Sequence, residues 1–391
     1  MLDALRRVDA ALSRHGDERR ILVDSRTAVN FEMVAPVVRA MAADSRVHFC
    51  FTASEEPEAL ARIYQHAPPG TRVIGPRVAA LSRWDVYLTS DFMWATLPRG
   101  AARIQMFHGV AGKYGFDAPT ESMRMWDRLF FVNERRLRNF VTAGAIDAGS
   151  PAARLIGMPK TDCLVDGSLR RDDVLAGLGL DPAKPTVLYA PTWSPASSLN
   201  ALGEALLEQL IRALPVNVIV KLHDRSRDLR QRYSGGIDWP ARLTALFARV
   251  CGNERRAVLA TDPNIAPCLA AADVMVTDHS SAGFEYLLLD RPLVRIEVPD
   301  LLAQAHVHPE YVQLLAGVAT NVRTADAAVQ GVERAITAPA GGSDARRAVA
   351  ADLFYQPGTA TSRCAAALCD VLELAPHPSY VVAGCPQSQA G

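Results

Sequence analysis

The sequence predicts an α/β protein built from two doubly wound, Rossmann-like domains that face one another across a cleft. Three observations carry that expectation. Short β-type apolar runs alternate with helical stretches along nearly the whole chain, the pattern of an open, largely parallel sheet covered on both faces. The 391 residues suffice for two cores of ordinary size. Near residues 165–182 the apolar periodicity breaks at D-G-S-L-R-R-D-D and again at D-P-A-K-P, which marks the passage between domains. The expected division is 1–168, 169–376 and a flexible tail, 377–391.

Taken in order, residues 2–14 place Leu2, Leu5, Val8, Ala11 and Leu12 at helical spacing, an amphipathic helix suited to docking on the first domain. Asp3 and Asp9 among its basic residues weaken a membrane-surface reading. Strand-like runs follow at 21–23, 47–51, 73–74, 86–88, 104–107, 129–132 and 155–156. After the break a second series occupies 187–189, 218–220, 258–259, 274–276, 293–296 and 318–322. In such sheets ligands bind outside the carboxyl ends of the strands, so the residues just after each run are the ones to inspect.

Composition removes several classes of partner. Lys plus Arg and Asp plus Glu both total 42, so no global field favours nucleic acid. Seven scattered cysteines without a C-x-x-C pair fit a reducing cytoplasm better than a disulfide framework or a zinc site. The N-terminus lacks the apolar core of a signal peptide and no stretch has transmembrane length, so any membrane contact is expected to be peripheral. His306 and His308 form a short H-x-H that reads as loop and not as a metal site.

The strand ends carry the chemistry. Beyond residue 107 come His108, Gly109 and then Lys113, a base of near-neutral pKa with glycine backbone and a cation, or else a histidine bonded within a turn. Arg135, Arg136 and Arg138 read as a solvated helix face. Gly157-Met158-Pro159-Lys160-Thr161-Asp162 is a shaped turn in which Asp162 can cap a helix. In the second half, Pro191, Thr192 and Trp193 follow a buried strand; Thr192 can donate to an oxygen anion. Lys221 and His223 end the next strand, on one side if the strand continues to them. The turn Asp278-His279-Ser280-Ser281 precedes a helix start, where hydroxyls and backbone N–H groups can hold an anion or simply cap.

Together these segments resemble the CDP-glycerol glycerophosphotransferases of teichoic acid and capsule synthesis. H-G-x-x-x-K at 108–113, G-M-P-K-T-D at 157–162, A-P-T-W at 190–193, K-L-H-D at 221–224 and T-D-H-S-S-A-G-F-E at 277–285 occur in the family's order. The resemblance implies a GT-B fold and a transferase that moves glycerol phosphate, or a related alditol phosphate, from a CDP-alditol to a polyol-phosphate or lipid-linked glycan acceptor. It implies His108 as the base, Lys221 and His223 as groups acting on the transferring phosphate, and Thr192, Pro191, Asp278, Ser280 and Ser281 around the donor. Gly109, Lys113, Lys160, Asp162 and Glu285 would support them, and the resemblance implies no metal or other cofactor. A sugar-nucleotide glycosyltransferase, a UDP-sugar 2-epimerase-like enzyme and a non-catalytic nucleotide-binding scaffold are the alternatives. The chain departs from the family pattern at Val110-Ala111-Gly112, at Lys160, at Asp224 and at His279.

Overall fold

The computed structural model describes residues 17–91, 100–110, 123 and 125–380. The helix expected at 2–14, Lys113 and most of the expected tail lie outside them. All thirteen strand-like runs become strands. The first seven are β1 (Arg19–Asp24), β2 (Val47–Thr52), β3 (Arg72–Val73), β4 (Val86–Thr89), β5 (Ala102–Met106), β6 (Arg128–Phe131) and β7 (Ala153–Leu155). They form one parallel sheet in the order β3-β2-β1-β4-β5-β6-β7. The other six are β8 (Thr186–Tyr189), β9 (Asn217–Lys221), β10 (Ala257–Ala260), β11 (Val274–Thr277), β12 (Leu293–Ile296) and β13 (Thr320–Val322), in a second parallel sheet ordered β10-β9-β8-β11-β12-β13. Each order reverses once, between β1 and β4 and between β8 and β11, and such reversal points open the crevices where doubly wound sheets take ligands.

Helices cover both faces because strands buried on two sides leave no edge of the core open to water. α1 (Ala28–Met41) follows β1 and begins in a capping box, with Thr27 accepting from the Asn30 N–H and Asn30 returning the bond. α2 (Glu134–Thr142) follows β6 and is capped by Asn133. Around the second sheet lie α3 (Arg171–Leu178), α4 (Ser198–Ala213), α5 (Trp239–Cys251), α6 (Ala266–Ala271), α7 (Ser281–Tyr286) and α8 (Ala325–Thr337). The alternation of side chains along its strands divides the core. Val187, Tyr189, Val218, Val220, Val274 and Val276 pack outward under α4, α5 and α8. Leu188, Ile219 and Met275 point the other way and join an apolar core continuous with that of the first domain.

The end of the chain corrects the expected division. After α9 (Ser343–Leu353), α10 (Ala360–Leu372) packs on α1 and therefore on the first domain, not with the second sheet to which 169–376 was assigned. Asp162 explains the return. Its carboxylate is buried and accepts from the backbone N–H groups of Gly358 (2.9 Å), Ala360 (3.1 Å) and Thr361 (2.7 Å), capping α10 from a turn of the first domain. Gly157 allows the approach. Its φ is +88°, and a Cβ there would lie 2.7 Å from the Tyr355 carbonyl oxygen. The tail does not begin at 377 either, since Tyr380 is buried and donates to the Asp44 carboxylate at 2.5 Å.

Among the described residues, no helix is long and apolar enough to cross a membrane.

Candidate active site

The two sheets meet with their carboxyl strand ends face to face, and among the described residues four contacts between basic and acidic side chains cross between them. Lys160 beyond β7 lies 2.6 Å from Glu285 of α7, and both side chains are nearly buried. Arg62 reaches Asp224 at 3.7 Å, His66 reaches Asp262 at 3.5 Å, and Arg135 of α2 pairs with Glu310. The cleft is thus closed at its base and bridged at its rim.

On the first-domain side His108 follows β5 by two residues. Its Nδ1 lies 2.5 Å from the carbonyl oxygen of Ser90, at the end of β4. A carbonyl can only accept, so Nδ1 carries the proton and Nε2 is left as the basic nitrogen. Ser90 is itself held, its hydroxyl donating to the Asn30 carbonyl at 2.7 Å. The residue is exposed to solvent, yet enough protein surrounds the ring to desolvate it in part. That surrounding lowers its pKa below 6.5; Asp91 and the Ser90 carbonyl oppose the shift, and the charges of Lys160 and Arg136 add to it. Of the arginines of α2 expected to form a solvated face, Arg138 is exposed, whereas Arg135 and Arg136 are drawn inward. Arg136 is buried, lies 4.1 Å from the centre of the Phe107 ring and donates to the Gly109 carbonyl at 3.2 Å, so Gly109 contributes a fixed backbone acceptor behind His108. Arg135 also pairs with Asp352. Sequence spacing alone could not separate these roles, because all three arginines fall within one turn.

On the second-domain side His223 caps the short 3-10 turn Asp224–Arg227, its Nδ1 accepting from the Arg225 N–H at 3.1 Å. A neutral ring of that kind carries its proton on Nε2, the opposite tautomer to His108. Lys221, two residues earlier, is the more deeply buried of the two. Lys221 ends β9, is 5% exposed and donates to the Leu222 carbonyl at 3.1 Å. Burial, reinforced by the nearby charge of Arg227, lowers its pKa. The backbone is still extended at His223, where the 3-10 turn begins.

At the reversal point between β8 and β11, Asp278 is wholly buried. Oδ1 accepts from the N–H groups of Thr192 (2.8 Å) and His279 (2.6 Å); Oδ2 accepts from the N–H (3.1 Å) and hydroxyl (2.8 Å) of Ser198. Its place among ligand-binding residues is therefore corrected: with both oxygens spent, it braces the loop that begins Pro191-Thr192. Thr277 adds a bond from its hydroxyl to the Ala190 carbonyl at 2.6 Å. Pro191 is buried, and the Thr192 hydroxyl lies buried without a hydrogen-bond partner among the described residues. Ser280 and Ser281 remain partly exposed beyond β11, and the Ser280 hydroxyl accepts from the Ala282 N–H at 3.3 Å. His279 packs edge-on against Phe284. His308 caps the helix Pro309–Gly317. Among the described residues no group of three or more His, Cys, Asp or Glu side chains is placed to hold a metal ion.

Two facing doubly wound sheets define a GT-B type α/β protein, with a histidine at a strand end on each side of the cleft. The chain belongs to the CDP-glycerol:poly(glycerophosphate) glycerophosphotransferase family, whose model matches residues 16–362. Among solved structures, the wall teichoic acid polymerase TagF superposes with a TM-score of 0.67 at 15% identity, over 91% of this chain and 90% of that one. A TagF variant soaked with CDPG gives 0.64 at 15% identity, covering 91% and 90%. A putative UDP-N-acetylglucosamine 2-epimerase from Listeria monocytogenes gives 0.60 at 14% identity, covering 93% and 100%. At these identities the likenesses are likenesses of fold. No curated protein matches the sequence.

Proposed function

We propose that the protein transfers glycerol phosphate, or a related alditol phosphate, from a CDP-alditol to a hydroxyl of a polyol-phosphate or lipid-linked acceptor and releases CMP. The observation that carries the reading is His108: in a family of glycerophosphotransferases, its Nδ1–H is tied to the Ser90 carbonyl, which leaves Nε2 basic at the cleft. In the proposed reaction Nε2 takes the proton of the acceptor hydroxyl. The oxygen attacks the β-phosphorus, its new P–O bond replaces the bond to CMP, and CMP departs with the bridging oxygen. His223 is suited to give that oxygen its Nε2 proton, while Thr192, Ser280 and Ser281 offer donors to the pyrophosphate. Lys160 and Glu285 serve by holding the two domains at this spacing. Catalysis then rests on positioning and charge stabilisation. A cytoplasmic enzyme working peripherally at the membrane, on a teichoic acid or capsule polymer, would fit this chemistry.

The test is incubation with CDP-glycerol and CDP-ribitol in the presence of acceptor, reading CMP. His108→Ala and His223→Ala, with folding verified by circular dichroism, are each expected to slow release by about 10²- to 10⁴-fold. Wild-type rates in both variants would sink the assignment. UDP-sugar turnover without CDP-alditol turnover would support the epimerase-like alternative instead.

A further inference from the structure

A second basic feature lies beside the cleft. A cavity of about 380 Å³ opens between the domains and is lined by five arginines against three carboxylates. Most of the arginines are spent on structure. Arg26 pairs with Glu55 at 2.7 Å and Asp91 at 3.3 Å, Arg62 with Asp224, and Arg230 with Asp228. Arg225 and Arg227 differ: among the described residues neither has a carboxylate within ion-pair distance. Arg227 gives two N–H groups to the carbonyls of Ala260 and Thr261 at 3.0 Å each, and its Nε lies buried without a hydrogen-bond partner among the described residues. Among the described residues, Arg225 makes no such bonds from its guanidinium. It is held by rings, 4.5 Å from the centre of Trp193 and 5.2 Å from that of Tyr233. Stacking uses the faces of the guanidinium and leaves its in-plane N–H edge for an oxyanion, in a geometry that suits phosphate.

Position narrows the ligand. Arg225 follows His223 by two residues, so the cavity adjoins one histidine directly. On the opposite wall Arg26 pairs with Asp91, the residue after Ser90, whose carbonyl holds His108. Arg26 follows β1 and His108 follows β5, with only β4 between these strands, a separation of about 10 Å across the sheet. The cavity is therefore a neighbour of the proposed transfer centre. Its lining comes from the segments after β1 and β2 of the first sheet and after β9 and β10 of the second, whereas the donors proposed for the pyrophosphate, Thr192, Ser280 and Ser281, follow β8 and β11.

We propose that this cavity binds a phosphodiester group already present in the acceptor chain, with Arg225 as its principal ligand. The assignment of the anion to an acceptor rests on the glycerophosphotransferase reading above. Bound there, an existing phosphodiester would anchor the acceptor near His108, so the enzyme would favour acceptors that already carry glycerol phosphate over uncharged hydroxyl compounds.

The probes are a short glycerol phosphate oligomer, glycerol and CDP-glycerol. Calorimetric Kd values for oligomer and CDP-glycerol are measured on wild type, Arg225→Gln and Arg225→Lys, and CMP release is followed with oligomer or glycerol as acceptor. Loss of a charge-assisted phosphate contact is expected to weaken oligomer binding by about tenfold or more in Arg225→Gln and to raise the oligomer KM in step. The Kd for CDP-glycerol should stay within about twofold, and Arg225→Lys, which keeps the charge, should recover part of the oligomer affinity. An unchanged oligomer Kd in Arg225→Gln, or no oligomer binding by wild type, overturns the proposal. A loss confined to CDP-glycerol overturns it too, by assigning the cavity to the donor. Arg225-dependent oligomer binding without CMP release from any CDP-alditol would leave this site standing and remove the transferase reading.

Discussion

Replacing Asp278 by alanine should cost the fold about 4 kcal/mol and reduce donor affinity only through the loop it braces. The figure comes from its partners. The carboxylate is wholly buried and takes four hydrogen bonds, three from backbone N–H groups and one from the Ser198 hydroxyl. Each bond to a charged acceptor is worth about 1.5–3 kcal/mol, and a buried donor left unpaired costs about 1–3 kcal/mol. Simple addition exceeds what single substitutions show, because loops relax and water enters, so about 4 kcal/mol is the expected net. Asp278→Asn is the sharper variant. Its remaining carbonyl oxygen can keep Thr192 and His279, while its amide meets the Ser198 N–H donor to donor, for a loss of about 2 kcal/mol. Urea unfolding followed by tryptophan fluorescence measures both losses from the midpoint at constant slope. The KM for CDP-glycerol is then taken on the folded fraction. If Asp278→Asn retained full stability and lost donor affinity by about a hundredfold, the carboxylate would be touching ligand, and the brace argument would be refuted.

Two further outcomes follow from the same geometry. The acid limb of kcat/KM should have its midpoint below pH 6.5, because His108 must be neutral to act as base and its folded pKa lies below that value. Activity then rises with pH through the lowered pKa and levels off; a pH–rate profile with a midpoint clearly above 6.5 contradicts the base role or its environment. Lys160→Met or Glu285→Leu alone should each destabilise the fold by about 3 kcal/mol by leaving the partner's charge nearly buried, and the double variant should lose less than the sum. Additive losses in that double-mutant cycle, read from urea midpoints, would show that the pair does not couple the domains.

Much of this molecule is legible in one dimension. Buried parallel strands are short continuous apolar runs, so all thirteen could be located, and the polar residues directly after them, His108, Thr192, His223 and Ser280 among them, do stand at strand ends. Parallel connections also leave few topologies open, which is why two doubly wound sheets could be expected before any coordinates. The roles of ionic side chains were less accessible. Asp278 and Ser280 are two residues apart, yet one is sealed beneath a loop and the other is partly open to the cleft. Arg135 and Arg136 are adjacent, and one crosses to the second domain while the other stacks on Phe107.

The sequence by itself determined the elements, their alternation and the order of the chemically apt turns, because periodicities of 2.0 and 3.6 residues are local properties of the chain. Tertiary structure alone decided what each polar group faces. Asp162 meets α10 some 196 residues later, Lys160 meets Glu285 across the cleft, and Arg225 comes to rest on Trp193. A buried charge takes whatever partner the packed domains bring within about 3 Å, and no local spacing records which partner that is.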